Sequence, residues 1–156
     1  MKIMDPCAKF GLLRNWLVFG FLTTSLNAAN ADCFDDAAHF QQVNPWILRA
    51  IAAEESSFRP SIVTNNTNRS VDRGLTGTNS VHLPELAKFG IGANDLFDPC
   101  KSIYVAAWLL RKKMNKHGNN YIAVGAYHSE TPDKRDIYAN KIRRRISEWT
   151  ARGWIR

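Results

Sequence analysis

Apolar positions recur at helical spacing along most of the chain after residue 32. Segment 44–55 opens with Asn-Pro, a typical helix start with asparagine as the N-cap and proline in the first turn, and continues with apolar residues. Segment 98–118 opens in a similar way with Asp-Pro and ends at a glycine. Its apolar residues are spaced by four, three and four positions, which predicts a helix that buries one face: Ile103, Ala107, Leu110 and Met114.

Four further segments predict helices that are shorter or more polar: 33–42, 84–88, 119–129 and 133–149. Between them, residues 59–80 are rich in asparagine, glycine and other turn-forming residues, which predicts a loop with a short hairpin. The length of the chain allows one domain and disfavours two. The sequence therefore predicts a single α+β domain that is predominantly α.

The first 31 residues have the three-part layout of a secretory signal peptide. Basic residues come first, an apolar run follows over 16–22, and Ala29-Asn30-Ala31 matches a cleavage site. Because the run is too short to span a bilayer, we expect export to the periplasm or the extracellular space, with no stable membrane insertion of the mature domain, residues 32–156. A buried N-terminal helix is the alternative for this segment.

Positive charge is the main bias in the composition. Lys and Arg number 21 and Asp and Glu number 14, a net charge of +7. The predicted leader carries three basic residues and one acidic residue, so the mature chain keeps +5. This balance favours an anionic partner. Nucleic acid is disfavoured, because the basic residues lack interleaved aromatic residues and the chain is predicted to be exported. The cationic final helix leaves a membrane surface as an alternative partner.

Cysteine usage agrees with export. Cys7 falls in the predicted leader, and Cys33 and Cys100 remain as an even pair. An exported chain meets an oxidising compartment, so we expect these two to form a disulfide, with two free buried thiols as the alternative.

Most catalytic motifs are missing from the sequence. It has no phosphate-binding glycine loop and no Cys-x-x-Cys, and its four histidines lack metal-ligand spacing, so we expect neither a cofactor nor a metal. Glu54 and Glu55, however, end an otherwise apolar helix, and neighbours on a helix point in different directions. One of them should therefore lie at the edge of the core, where a half-buried glutamate can act as a general acid. Two solvated carboxylates are the alternative.

A second carboxylate, Asp72, follows across the polar loop. A protected glutamate that faces a solvated aspartate across a cleft is the arrangement of glycosidases, with lysozyme as the reference case.

Three blocks in this order resemble the lytic transglycosylases of the lysozyme-like superfamily. They are Glu55-Ser56-Ser57-Phe58, the segment 66–75 that reads NTNRSVDRGL, and Ala126-Tyr127-His128-Ser129. The resemblance covers nearly all of residues 32–156 and is strongest to the specialised IagB-like group, which is associated with invasion, secretion and conjugation machines. It implies a lysozyme-like SLT domain with a substrate cleft.

The resemblance also implies roles for individual residues. Glu55 matches the catalytic acid/base, and Asp72 stands where c-type lysozymes carry their second carboxylate. The residues that match substrate-binding or cleft positions are Ser56, Gly74, Leu75, Asn79, Tyr127 and His128. The implied substrate is the peptidoglycan glycan strand. The implied reaction cleaves the β-1,4 bond from N-acetylmuramic acid to N-acetylglucosamine with a 1,6-anhydro product, and it would open the wall locally for a secretion, conjugation or pilus apparatus.

One block departs from the family pattern. The family usually has Gly-Leu-Met-Gln, with the Met-Gln pair in the glycan cleft, whereas this chain has Thr76-Gly77 at that pair. Two alternatives therefore stay open beside the transglycosylase: a catalytically impaired protein that binds peptidoglycan or serves assembly, and a muramidase that uses water and gives Asp72 a direct role.

Overall fold

The computed structural model describes residues 32–155, so the predicted leader lies outside the described residues. Over these residues the chain forms six α-helices, some short 3₁₀ turns and one small sheet, which confirms the predominantly helical α+β fold. The helices are α1 (Cys33–Gln41), α2 (Pro45–Ser56), α3 (Leu83–Leu86), α4 (Pro99–His117), α5 (Tyr121–His128) and α6 (Pro132–Ala151).

The two proline-containing helix starts are capped as the sequence predicts. The Asn44 side chain accepts a hydrogen bond from the backbone N–H of Trp46 at 2.8 Å. The Asp98 side chain accepts one from the backbone N–H of Lys101, also at 2.8 Å. At the other end of α2, Ser57 adopts the left-handed conformation and its N–H bonds back into the helix. Helix α2 therefore stops one residue after Glu55.

The polar segment between α2 and α3 forms a three-stranded antiparallel sheet in the order β1 (Val63–Asn65), β2 (Val71–Arg73), β3 (Thr78–Asn79). The predicted hairpin is thus present, and a third strand extends it. In the register of the sheet, Asp72 lies opposite Thr64 on one side and Asn79 on the other. The central strand therefore holds the second candidate carboxylate.

Helix α4 is shared by both hydrophobic clusters. The larger cluster includes residues of α1, α2, α5 and α6 and contains the whole predicted stripe from Ile103 to Met114. The smaller cluster surrounds Trp108, which is 1% exposed, and includes Leu86 and Leu96 from the segment after the sheet. Tyr127 of α5 packs against both clusters. A buried central helix of this kind gives the other elements a common surface to pack on.

The predicted disulfide joins Cys33 at the start of α1 to Cys100 in the first turn of α4, with Cα atoms 5.4 Å apart. In the chain-entropy model, a bridge over a loop of this length stabilises the fold by about 4 kcal/mol. No helix within residues 32–155 is both long and apolar enough to cross a membrane.

Candidate active site

A cavity of about 510 Å³ lies between the sheet and the end of α5. Glu55, in the last turn of α2, lines it with a side chain that is 16% exposed. The cavity is rich in amide and hydroxyl side chains: Asn66, Asn68, Ser70, Thr78 and Asn79. Asp72, Tyr127 and His128 line the same cavity. The structure thus brings together five of the residues singled out in the sequence: Glu55, Asp72, Asn79, Tyr127 and His128.

Three other predicted residues lie behind the wall of this cavity and do not line it. Ser56 and Leu75 are buried, and the Ser56 hydroxyl lies 2.7 Å from the Leu75 carbonyl oxygen. Gly74 packs closely against the backbone of Leu96, since a Cβ on Gly74 would lie 1.9 Å from the Leu96 carbonyl oxygen. The Ser56–Leu75 contact holds the turn after β2 against the end of α2, and Gly74 packs the same turn against Leu96.

Thr76 and Gly77 have different environments: Thr76 lies in the core, and Gly77 lies at the cavity. Thr76 is fully buried, and its hydroxyl lies 2.9 Å from that of Ser102 in α4. Gly77 lines the cavity with a φ of +59°, and a Cβ at this position would lie 2.8 Å from Oε2 of Glu55. The bare backbone of Gly77 therefore packs directly against Glu55. A side chain at this position would require Glu55 to move.

The two adjacent glutamates have different environments. The Glu54 carboxylate forms salt bridges with two residues of α6: Lys141 Nζ lies 2.8 Å from it, and the Arg145 guanidinium lies 3.1 Å from it. Burial acts to raise the pKa of Glu54, but the hydrogen bonds and charges of these two cations outweigh it and hold the pKa below its usual value. Glu54 is therefore kept ionised. For Glu55, the basic group in salt-bridge range is Nδ1 of His128, 3.8 Å from Oε1.

Aromatic side chains surround the carboxylate of Glu55. The Tyr127 hydroxyl donates a hydrogen bond to the Thr76 carbonyl oxygen at 3.0 Å. Burial, followed by the charge of Glu55, raises the pKa of Tyr127, so the phenol stays protonated. His128 stacks on Tyr138 of α6 with ring centroids 4.7 Å apart and parallel planes. Burial and the Glu55 carboxylate also raise the pKa of Tyr138.

Asp72 is held by amides on both carboxylate oxygens. Asn79 Nδ2 donates to Oδ1 at 2.5 Å, and Asn66 Nδ2 donates to Oδ2 at 2.9 Å. The Asn79 side chain also donates to Ser70 and caps the following turn through Oδ1, bonded to the N–H of Val81. Asn79 thus both orients the Asp72 carboxylate and lines the cavity.

Sequence reasoning missed several residues at the site. Asn66 opens the 66–75 block that carries the family resemblance, but no role was assigned to it, although its position six residues before Asp72 fits a contact across a hairpin. Tyr138, Lys134 and Lys141 lie on a helix far from Glu55 in sequence, and the pattern of that helix gave no signal for them. Among residues 32–155, no three histidine, cysteine or acidic side chains are grouped to hold a metal ion.

The contact between His128 and Glu55 predicts a titration that can be measured. Interaction with the Glu55 carboxylate raises the pKa of His128 above 6.5, and partial burial opposes it. The charged imidazole therefore contributes stability that is fully present below pH 6.5 and is lost as pH rises through the higher folded value. We expect Glu55→Gln to lower the His128 pKa, as followed by NMR of the ring protons. His117, which pairs with Glu130, is the control. An unchanged His128 titration would contradict the contact.

Comparison with known proteins gives one family and a consistent set of relatives. The profile of the Transglycosylase SLT domain matches residues 32–149. Invasion protein IagB of Salmonella typhimurium is 38% identical over 138 residues, which cover 85% of this chain and 82% of IagB. Protein IpgF of Shigella flexneri is 36% identical over 133 residues, 82% of this chain and 88% of IpgF. X polypeptide of Escherichia coli is 36% identical over 126 residues, 76% of this chain and 74% of that protein.

The family profile spans nearly all of the described residues, and it includes every residue that lines the cavity. The relatives match along most of their own lengths. The resemblance drawn from the three sequence blocks is therefore confirmed, and the chain belongs to the Transglycosylase SLT domain family, whose activity is the lytic cleavage of peptidoglycan.

Proposed function

We propose that the protein is a lytic transglycosylase that cleaves the β-1,4 bond from N-acetylmuramic acid to N-acetylglucosamine, with Glu55 as the acid and base. The observation that supports this proposal most strongly is that the two adjacent glutamates have different environments. Glu54 is fixed as a carboxylate by two cations, whereas Glu55, also mostly buried, lines a cavity that is rich in amides and hydroxyls. Such groups suit the hydroxyl and acetamido groups of a sugar.

The reaction needs a proton on the leaving oxygen and stabilisation of an oxocarbenium-like centre. Protonated Glu55 gives its proton to the oxygen of the departing N-acetylglucosamine. The acetamido group of the muramic residue stabilises the developing positive centre. Glu55, now ionised, takes the proton from the muramic 6-hydroxyl, whose oxygen closes onto the anomeric carbon. The product has a 1,6-anhydro end, and Glu55 is protonated again.

The second candidate function is a muramidase, which cleaves the same bond with water. The position of Asp72 is the observation that favours it. Two amides hold both of its carboxylate oxygens, so it presents an oriented negative charge on the same cavity as Glu55. A carboxylate at this position can stabilise the positive centre or direct a water molecule to it. In that case the product has a reducing muramic end.

The catalytically impaired binding protein is the third candidate, and Gly77 is the observation that supports it. Where the family usually has a glutamine, the wall beside Glu55 is bare backbone. A protein of this kind would bind cell-wall sacculi and release no soluble fragments.

Digestion of purified sacculi tests these candidates. We expect the mature domain to release fragments with 1,6-anhydro muramic ends, identified by mass spectrometry as one water lighter than reducing ends. Glu55→Gln should abolish release, because the amide has no proton of comparable acidity to donate. Asp72→Asn should lower release by about tenfold or less if Asp72 only assists through its charge.

Each result has a clear meaning. Release by the Glu55→Gln variant would overturn the site. Reducing ends that disappear in Asp72→Asn would establish the muramidase. Sacculi that retain the wild-type protein on sedimentation without any release would establish the impaired binding protein.

The contact of Gly77 with Glu55 gives a second test. We expect Gly77→Ala to lower the rate of fragment release by about 10- to 100-fold, because a catalytic group displaced by about 1 Å costs roughly that factor. Gly90→Ala is the matched control. Gly90 has a similarly positive φ of +73°, but a Cβ there has no neighbour within 4 Å. Equal activity of the two variants would show that the space beside Glu55 is unimportant.

We also propose that the protein is exported to the periplasm and serves a secretion or conjugation apparatus. The disulfide supports an oxidising compartment, and the name of the relative IagB, an invasion protein, supports the link to an apparatus. The mass of the protein recovered from the periplasm should correspond to a chain that begins at Asp32 and carries one disulfide. A mass that includes the first 31 residues would contradict cleavage after Ala31.

A further inference from the structure

A second cavity, of about 260 Å³, adjoins the catalytic cavity at Glu55. The two cavities share Glu55, His128 and Lys134. The rest of the second cavity is formed by Glu54 and by three residues of α6: Ile137, Tyr138 and Lys141. With Lys134, these α6 residues lie at positions i, i+3, i+4 and i+7, so one face of the helix forms the wall.

The chemistry of this wall differs from that of the sheet side of the catalytic cavity. The catalytic cavity is lined largely by amide and hydroxyl side chains, whereas the α6 wall presents two lysines, a tyrosine and an isoleucine. Ile137 is 61% exposed, whereas Ile142, five residues further along the helix, is fully buried. An exposed apolar residue between two cations suits a ligand that carries both methyl groups and carboxylates.

The charges on the wall leave an excess of positive charge. Lys141 and Arg145 both contact the single carboxylate of Glu54. Lys134 is exposed and makes no ion pair with an acidic side chain among residues 32–155 at salt-bridge distance. When Glu55 carries the proton that the reaction requires, it contributes no negative charge. The wall then presents cations whose charge is not balanced locally.

We propose that the α6 wall binds a carboxylate borne by the muramic residue next to the scissile bond, with Lys134 as the cation that contacts it. This inference rests on the proposed function, because it takes peptidoglycan as the ligand. Two parts of peptidoglycan supply such a carboxylate: the stem peptide, which also has alanine methyl groups, and the lactyl group of strands that have lost their peptides. Lys134 would make the enzyme prefer muramic strands with a free carboxylate over neutral glycan.

Binding measurements in the Glu55→Gln variant test this without turnover. Glutamine also mimics the neutral, protonated acid. The ligands are soluble glycan fragments with stem peptides, the same fragments after amidase treatment, which leaves the lactyl carboxylate, and chitin oligosaccharides, which have no carboxylate. Adding Lys134→Gln should weaken binding of a carboxylate-bearing ligand by about two- to fivefold, the range of an exposed ion pair. The difference should shrink at high salt.

The pattern across the ligands identifies the source of the carboxylate. Loss of affinity for peptide-bearing fragments alone assigns the stem peptide, and loss for amidase-treated fragments alone assigns the lactyl group. Equal loss for both shows that the wall accepts either carboxylate. Lys88→Gln is the matched control, since Lys88 is exposed and lines neither cavity. Unchanged affinity in Lys134→Gln, an equal loss for chitin oligosaccharides, or an equal loss in Lys88→Gln would overturn the proposal.

The experiments distinguish failure of the transglycosylase activity from failure of the carboxylate site. If the wild-type protein releases no fragments from sacculi while Lys134→Gln still weakens binding, the transglycosylase activity fails and the carboxylate site stands. If the wild-type protein cleaves sacculi and Lys134→Gln leaves binding and the rate of release unchanged, only the carboxylate site fails.

Discussion

The junction between the end of α2 and the 74–77 turn is the constraint on which the site depends. Three elements hold this turn: α2 through the Ser56 hydroxyl at the Leu75 carbonyl, α4 through Ser102 at the Thr76 hydroxyl, and α5 through the Tyr127 hydroxyl at the Thr76 carbonyl. A buried polar group that loses its partner costs about 1–3 kcal/mol, so these contacts define a single position for the turn. Glu55 precedes Ser56 in the chain, and Gly77 ends the turn, so both sides of their contact are fixed by the same hydrogen bonds.

A second constraint separates two carboxylates that are neighbours in sequence. Successive residues of a helix point about 100° apart, which directs Glu54 to α6 and Glu55 to the cavity. The cations of α6 then keep Glu54 ionised and balance its charge. Without them, a second uncompensated carboxylate would stand beside that of Glu55. Helix α6 thus contributes to the electrostatics of the site, although apart from Lys134 the residues that line the larger cavity come from other elements.

Local signals in the sequence predicted the frame of the molecule well. Asn-Pro and Asp-Pro mark helix starts because the cap and the first turn interact within four residues, and the structure has both caps. The burial of Thr76 could not be predicted, because it depends on Ser102, 26 residues away. The same holds for Asn79, which a family pattern assigns to the cleft and which is also bonded to Asp72 through the sheet register. Such roles are decided by tertiary partners that periodicity does not reveal.

The positive charge of α6 also has a more specific role than the sequence indicated. An amphipathic helix that binds a membrane must present an apolar face to the lipid. In α6, Ile142 and Trp149 are buried at 0% and 8% exposure, and Ile146 packs against the same core. Apart from Ile137, the apolar residues of this helix face are therefore packed against the protein itself, which disfavours the membrane-surface alternative. Two of the cations, Lys141 and Arg145, are engaged by Glu54. Among the α6 residues beside Glu55, Lys134 is the cation without an acidic partner at salt-bridge distance among residues 32–155, so the number of basic residues in α6 overstates the number of cations available for binding.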